Sequence, residues 1–140
     1  MDNRYLYRAK MKNKNEWALG SLVHVPHQDK YYILRHTENE MFEALEECEV
    51  DPSTICQCTG LKDKNGKLIW ENDIMVAHLD DSFPEDATYT RVVWDNNGFC
   101  TKEQGSEDIQ PLDKFDQEYF EVCGNIFDNM EMLEVGENET

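Results

Sequence analysis

The dipeptide Asn65-Gly66 sits between two short extended runs, and it is the strongest hairpin signal in the chain. Both residue types tolerate positive φ, which a two-residue turn joining right-twisted strands requires, so the pair predicts a hairpin with both positions left-handed. The same punctuation recurs at Asp95-Asn96-Asn97, between Thr88–Trp94 and Gly98–Thr101. A chain broken this often by turn formers, with β-branched and aromatic residues between the breaks, folds into sheets rather than helical bundles.

The remaining strands follow from period-two alternation. Arg4–Met11 places Tyr5, Tyr7 and Ala9 on one face and most of its cations on the other, which reads as a half-buried strand. Polar Lys12–Asn15 supplies a turn, and Trp17–Val25 runs back until Pro26 stops it. Tyr31–Leu34, Thr54–Thr59, Leu68–Trp70, Ile74–Leu79 and a closing run, Tyr119–Phe127, are further strands. Between Thr37 and Glu49, the spacing of Met41, Phe42, Leu45 and Cys48 fits either a short acidic helix capped by Thr37 or Asn39, or a solvated loop. Asp80–Ala87 and Lys102–Asp116 read as acidic loops, and Asp128-Asn129 can cap a last turn through Leu133. The expected layout is one β-rich domain over 1–134. It comprises an N-terminal hairpin over 1–35, a variable acidic segment over 37–49, a core over 53–127 and a frayed tail over 135–140.

Charge narrows the function. The 140 residues carry 13 Lys and Arg against 30 Asp and Glu, a formal net charge of −17. Residues 1–40 are net +2, whereas residues 41–140 are net −19. Carboxylates at that density repel a phosphate backbone, which argues against direct nucleic-acid binding. Only Arg4, Arg8, Lys10, Lys12 and Lys14 cluster as cations, and a solvated strand edge and turn accounts for them. No run approaches the ~20 apolar residues of a membrane span, and no apolar stretch follows Met1–Arg4 as a secretory signal needs, so the expectation is a cytoplasmic protein.

Catalytic and metal-binding patterns are weak. Cys48, Cys56, Cys58, Cys100 and Cys123 are odd in number and read as buried free thiols. Cys56-x-Cys58 with His24, His27, His36 or His78 invites a zinc reading, but no second pair at ligand spacing accompanies it. Asp73 with Glu71 as an acid/base pair, or Cys56 or Cys58 with a histidine as a nucleophilic dyad, stands out little among so many carboxylates. Trp17, Trp70 and Trp94 read as core packing ahead of a ligand groove. The expectation is therefore no enzyme, with no catalytic, cofactor or metal residues assigned and no cofactor.

Gln57-Cys58-Thr59-Gly60-Leu61-Lys62-Asp63-Lys64-Asn65-Gly66-Lys67, followed by Ile69-Trp70-Glu71-Asn72-Asp73-Ile74, resembles the signature of the YopX-like family of phage and prophage proteins. Arg8-Ala9 near the start and Phe120–Ile126 with Leu133 near the end resemble that family's termini, so the likeness spans nearly the whole chain. The resemblance implies a phage-borne, mainly β fold whose centre is a small SH3-type barrel and which can oligomerise; the residue pattern adds an N-terminal β-hairpin extension and one or two short helices. It implies no known activity. Cys58 stands where the family usually has an aromatic, and Asn72 where it usually has Gly; Asn is the residue after glycine that best tolerates a left-handed backbone. The functional expectation is a non-catalytic accessory protein acting through an unidentified protein partner or through homo-oligomers. The alternative is an acidic mimic of nucleic acid that blocks a host DNA-binding protein.

Overall fold

The computed structural model describes residues 3–37, 44–78, 87–96 and 98–134. Among them the chain is mainly β, as the turn spacing predicts, and its contacts divide it into two units, Met1–Cys58 and Thr59–Thr140.

In the first unit a 3-10 turn, Asn3–Tyr5, leads into β1 (Tyr7–Lys10), β2 (Trp17–Val25), β3 (Lys30–Thr37) and β4 (Ala44–Val50). These pair antiparallel in the order β4-β3-β2-β1, and the first residues of β5 (Cys56–Lys62) add to β1 through Tyr7↔Gln57 and Arg8↔Cys56. Ala9, Met11, Ala18, Ile33, Cys48 and Val50 form the core. Burying a side chain such as Ile33 is worth about 1.5–3 kcal/mol. Gly20 is fixed by a close approach, because a Cβ there would lie 2.0 Å from the Leu34 carbonyl oxygen. The acidic segment is a strand over the residues described, not a helix or loop. Cys48 and Val50 are buried two apart, and Leu45, which the helical spacing counted as apolar face, is 61% exposed. The edge of a sheet supplied partners that local spacing does not reveal: β4 runs along the whole of β3, from Tyr31↔Val50 to Thr37↔Ala44. Met41 and Phe42 lie outside the described residues, as do 80–86, Asn97 and the tail 135–140.

In the second unit the rest of β5 pairs with β6 (Leu68–Trp70). A five-stranded antiparallel sheet follows, built from β7 (Asp73–His78), β8 (Ala87–Asp95), β9 (Gly98–Glu103), β10 (Ile109–Pro111) and β11 (Glu121–Asn125) in the order β10-β9-β8-β7-β11. Helix α1 (Lys114–Tyr119) precedes β11 and α2 (Glu131–Glu134) follows it. Ile69, Met75, Ala77, Val92 and Phe120 form this unit's core. The sheet ends in two separate edges, β10 and β11, so it is open where an SH3-type barrel was expected. β10 has three residues and ends on Pro111, which cannot donate to a further strand.

Three local expectations change. Lys102–Asp116 is not one loop, because it holds β10 and the start of α1. Asp113 accepts from Asp116 N–H at 3.3 Å, and Asp116 accepts from Asp113 N–H at 3.0 Å, closing a capping box that starts the helix. The closing strand accordingly begins at Glu121 rather than Tyr119. In the Asn65-Gly66 turn only Gly66 is left-handed, at φ 83°. Gly66 N–H donates to the Asp63 carbonyl and Asp63 N–H to that of Lys67, which makes a three-residue loop in place of the two-residue one.

Candidate functional site

The signature carboxylates are absorbed by the backbone. Asp63, 6% exposed, accepts from Asn65 and Lys67 N–H through Oδ1, both at 2.9 Å, and from Val122 N–H through Oδ2 at 2.8 Å. One buried side chain thus shapes the β5–β6 turn and fixes the start of β11 to it. Asp73, 1% exposed, accepts from Trp70 N–H at 2.7 Å. Asn72 between them is left-handed at φ 71°, the conformation its place in the signature predicts. Asp63 is the residue that sequence reasoning missed: a buried Asp two residues before Asn65-Gly66 is the signal of a side chain capping its own turn.

Burial sets the state of the thiols. Cys56 and Cys58 are completely buried on one face of β5, and Cys56 Sγ donates to the Thr54 carbonyl at 3.3 Å. Burial pushes the thiols of Cys48, Cys100 and Cys123 up from their ordinary value, which keeps them protonated and poorly nucleophilic. Among the described residues, no three His, Cys, Asp or Glu side chains are grouped so as to hold a metal ion. The basic cluster is engaged locally. Arg8 and Lys10 lie 4.8 and 5.5 Å from the centre of the Trp17 ring, and Lys12 pairs with Glu49 at 3.2 Å. Of the tryptophans only Trp70 is buried as expected, whereas Trp94 is 52% exposed, held edge-on by Phe99 at 4.9 Å.

A cavity of about 310 Å³ lies in the second unit, under α1 and against β8, β9 and β10. That size suits a small ligand or a single side chain. The face of a sheet beneath a helix is ordinarily apolar, but here it carries Thr88 and Thr90 from β8, Thr101 and Glu103 from β9, and Gln110 from β10. The register sets them side by side, with Thr90 opposite Glu103 and Thr101 opposite Gln110. Thr90, Thr101, Asp116 and Phe120 are buried, whereas Glu103, Asp108 and Gln110 are exposed, so the cavity has a closed floor and a carboxylate-rimmed mouth. Thr90 Oγ1 is buried without a hydrogen-bond partner. Burial pushes the Asp116 carboxyl above its ordinary value, and the neighbouring Asp113 adds to the shift. The sequence named none of these residues as a site, because they are scattered over 88–120 and only strand pairing unites them.

The described residues thus form an antiparallel β scaffold with a polar cavity on the face of the second unit's sheet. Residues 6–134 match the YopX protein family, and the chain belongs to it. The crystal structure of protein EF1440 from Enterococcus faecalis is similar to this chain with a TM-score of 0.58 at 21% identity, over 91% of this chain and 96% of that one, which shows a shared fold. No curated protein matches the chain. Among the described residues, no helix is long and apolar enough to cross a membrane.

Proposed function

We propose that this chain is a non-catalytic interaction module, an accessory protein of a phage or prophage that works in the bacterial cytoplasm by binding a protein partner. The observation that carries this reading is the cavity: a built, hydroxyl-lined floor opening through a rim of carboxylates. The uses found for the signature residues support it, since Asp63 and Asp73 spend their acceptors on backbone N–H groups, and Cys56 and Cys58 are sealed from solvent. Tagged protein expressed in the lysogenic or infected host should recover a stoichiometric partner, or a second copy of itself. Asp108→Arg, which reverses the charge at an exposed point of the rim, should abolish that recovery while leaving the circular-dichroism spectrum unchanged. Recovery that survives Asp108→Arg would refute binding through this face.

The acidic-mimic reading draws on a different observation, the net −19 of residues 41–140. Under it, capture of a basic host protein would weaken steeply with salt and compete with duplex DNA. Capture indifferent to salt excludes it.

A further inference from the structure

The interaction reading leaves open what chemistry the cavity accepts. Among the described residues its lining includes three carboxylates, from Glu103, Asp108 and Asp116, and four hydroxyls, from Thr88, Thr90, Thr101 and Ser106, with no Lys, Arg or His. A lining of that kind calls for a ligand that brings hydrogen-bond donors and positive charge. The buried hydroxyl of Thr90 makes the same demand independently. A polar group sealed without a partner costs free energy, and an incoming group that pairs with it removes the cost.

Two kinds of cation fit such a lining, and the geometry separates them. A metal ion needs its ligands gathered about one point, and these carboxylates do not form a metal-holding group. They are set around the cavity, from the buried floor at Asp116 to the exposed rim at Glu103 and Asp108. A planar guanidinium carries five N–H donors in a fixed fork, so it can reach acceptors on several sides at once, whereas an ammonium acts as a compact point charge. Phe115 and Phe120 line the same cavity and offer ring surface to a flat cation.

We propose that the cavity between α1 and the β8–β9–β10 face is a guanidinium-binding site. It takes either a free alkylguanidine or an arginine side chain of a partner, with Glu103 and Asp108 at its mouth and Thr90 on its floor. The proposal rests on the cavity being a binding site, and its test separates the two ideas. Agmatine, cadaverine, calcium and a short arginine-containing peptide are titrated into the whole chain at moderate salt, followed by calorimetry and by amide shifts. Agmatine or the peptide should saturate, with shifts centred on Thr90, Thr101 and Asp116, and the tighter of the two identifies the source. Glu103→Gln should weaken binding about tenfold, the size of one charge-assisted contact. Thr90→Val should weaken binding yet leave thermal stability equal or higher, a combination that a purely structural hydroxyl would not give. Equal binding of cadaverine, tighter binding of calcium, or shifts spread over the acidic surface and indifferent to Glu103→Gln would each overturn the guanidinium assignment. If no probe binds while Asp108→Arg still abolishes partner capture, the guanidinium assignment falls and the interaction reading stands.

Discussion

Single side chains decide the most at Asp63. Its two oxygens serve three backbone N–H groups, so Asp63→Ala removes three charge-assisted hydrogen bonds at once and should cost about 3 kcal/mol in chemical denaturation. Gly66→Ala, by contrast, meets no atom within 4 Å and pays only for its left-handed backbone, about 1–2 kcal/mol. Two aspartates should tilt stability with pH in opposite senses. Backbone and hydroxyl hydrogen bonds from Ser53 hold the Asp51 carboxyl below its ordinary value of 3.8. Its contribution is therefore present above that value and lost as pH falls through the lower, folded one. Burial raises Asp116 from the same ordinary value, so its contribution is present below 3.8 and lost as pH rises through the folded one. Urea melts across acid pH should show Asp51→Asn losing ground to the wild type as pH rises toward 3.8, and Asp116→Asn gaining it as pH rises above 3.8.

At the scale of elements, β4 shows how a sheet edge is guarded where it is open, its end being covered by Lys12 N–H on the Glu49 carbonyl and Asp51 N–H on the Lys10 carbonyl. Its outward residues are largely acidic, with Glu47 exposed and Glu49 bound to Lys12, while Arg35 and Glu46 bridge β3 and β4 at 3.1 Å. Like charges along an edge repel a second edge, which keeps the strand from templating aggregation. Glu47→Val should raise self-association in light scattering at unchanged secondary structure. This strand was not legible in the sequence, because Leu45 and Cys48 mimic helical spacing and the pairing with β3 joins residues seven to nineteen positions apart. Helix α1 was illegible for a related reason. Its six residues carry too little periodicity, and only the Asp113–Asp116 box marks its start. Strands β2 and β8 were readable because alternation and turn residues agreed, and β6 because it leaves the Asn65-Gly66 turn.

For the whole molecule, the net charge of −17 works against compaction. Raising ionic strength from ~0.01 M, where the Debye length is ~30 Å, to ~0.5 M should screen that repulsion and raise the melting temperature. The thiols give a second global readout. Cys48, Cys56 and Cys58 are buried while Cys100 and Cys123 are partly accessible, so a thiol reagent on the folded protein should modify at most the latter pair until unfolding releases the rest. Early modification of Cys56 or Cys58 would mean that the first unit opens far more readily than its packing indicates.

Local information was sufficient wherever one residue's conformation or one short run's periodicity set the outcome. The mainly β class, the left-handed Asn72, most strand positions and the family likeness all followed from the order of residues. Pairing between distant segments decided the rest: the strand identity of β4, the open sheet in place of a closed barrel, and the cavity beneath α1. Sheets are made of contacts between segments far apart in the chain, so their edges, and the side chains that meet across them, exist only once the strands have found their neighbours.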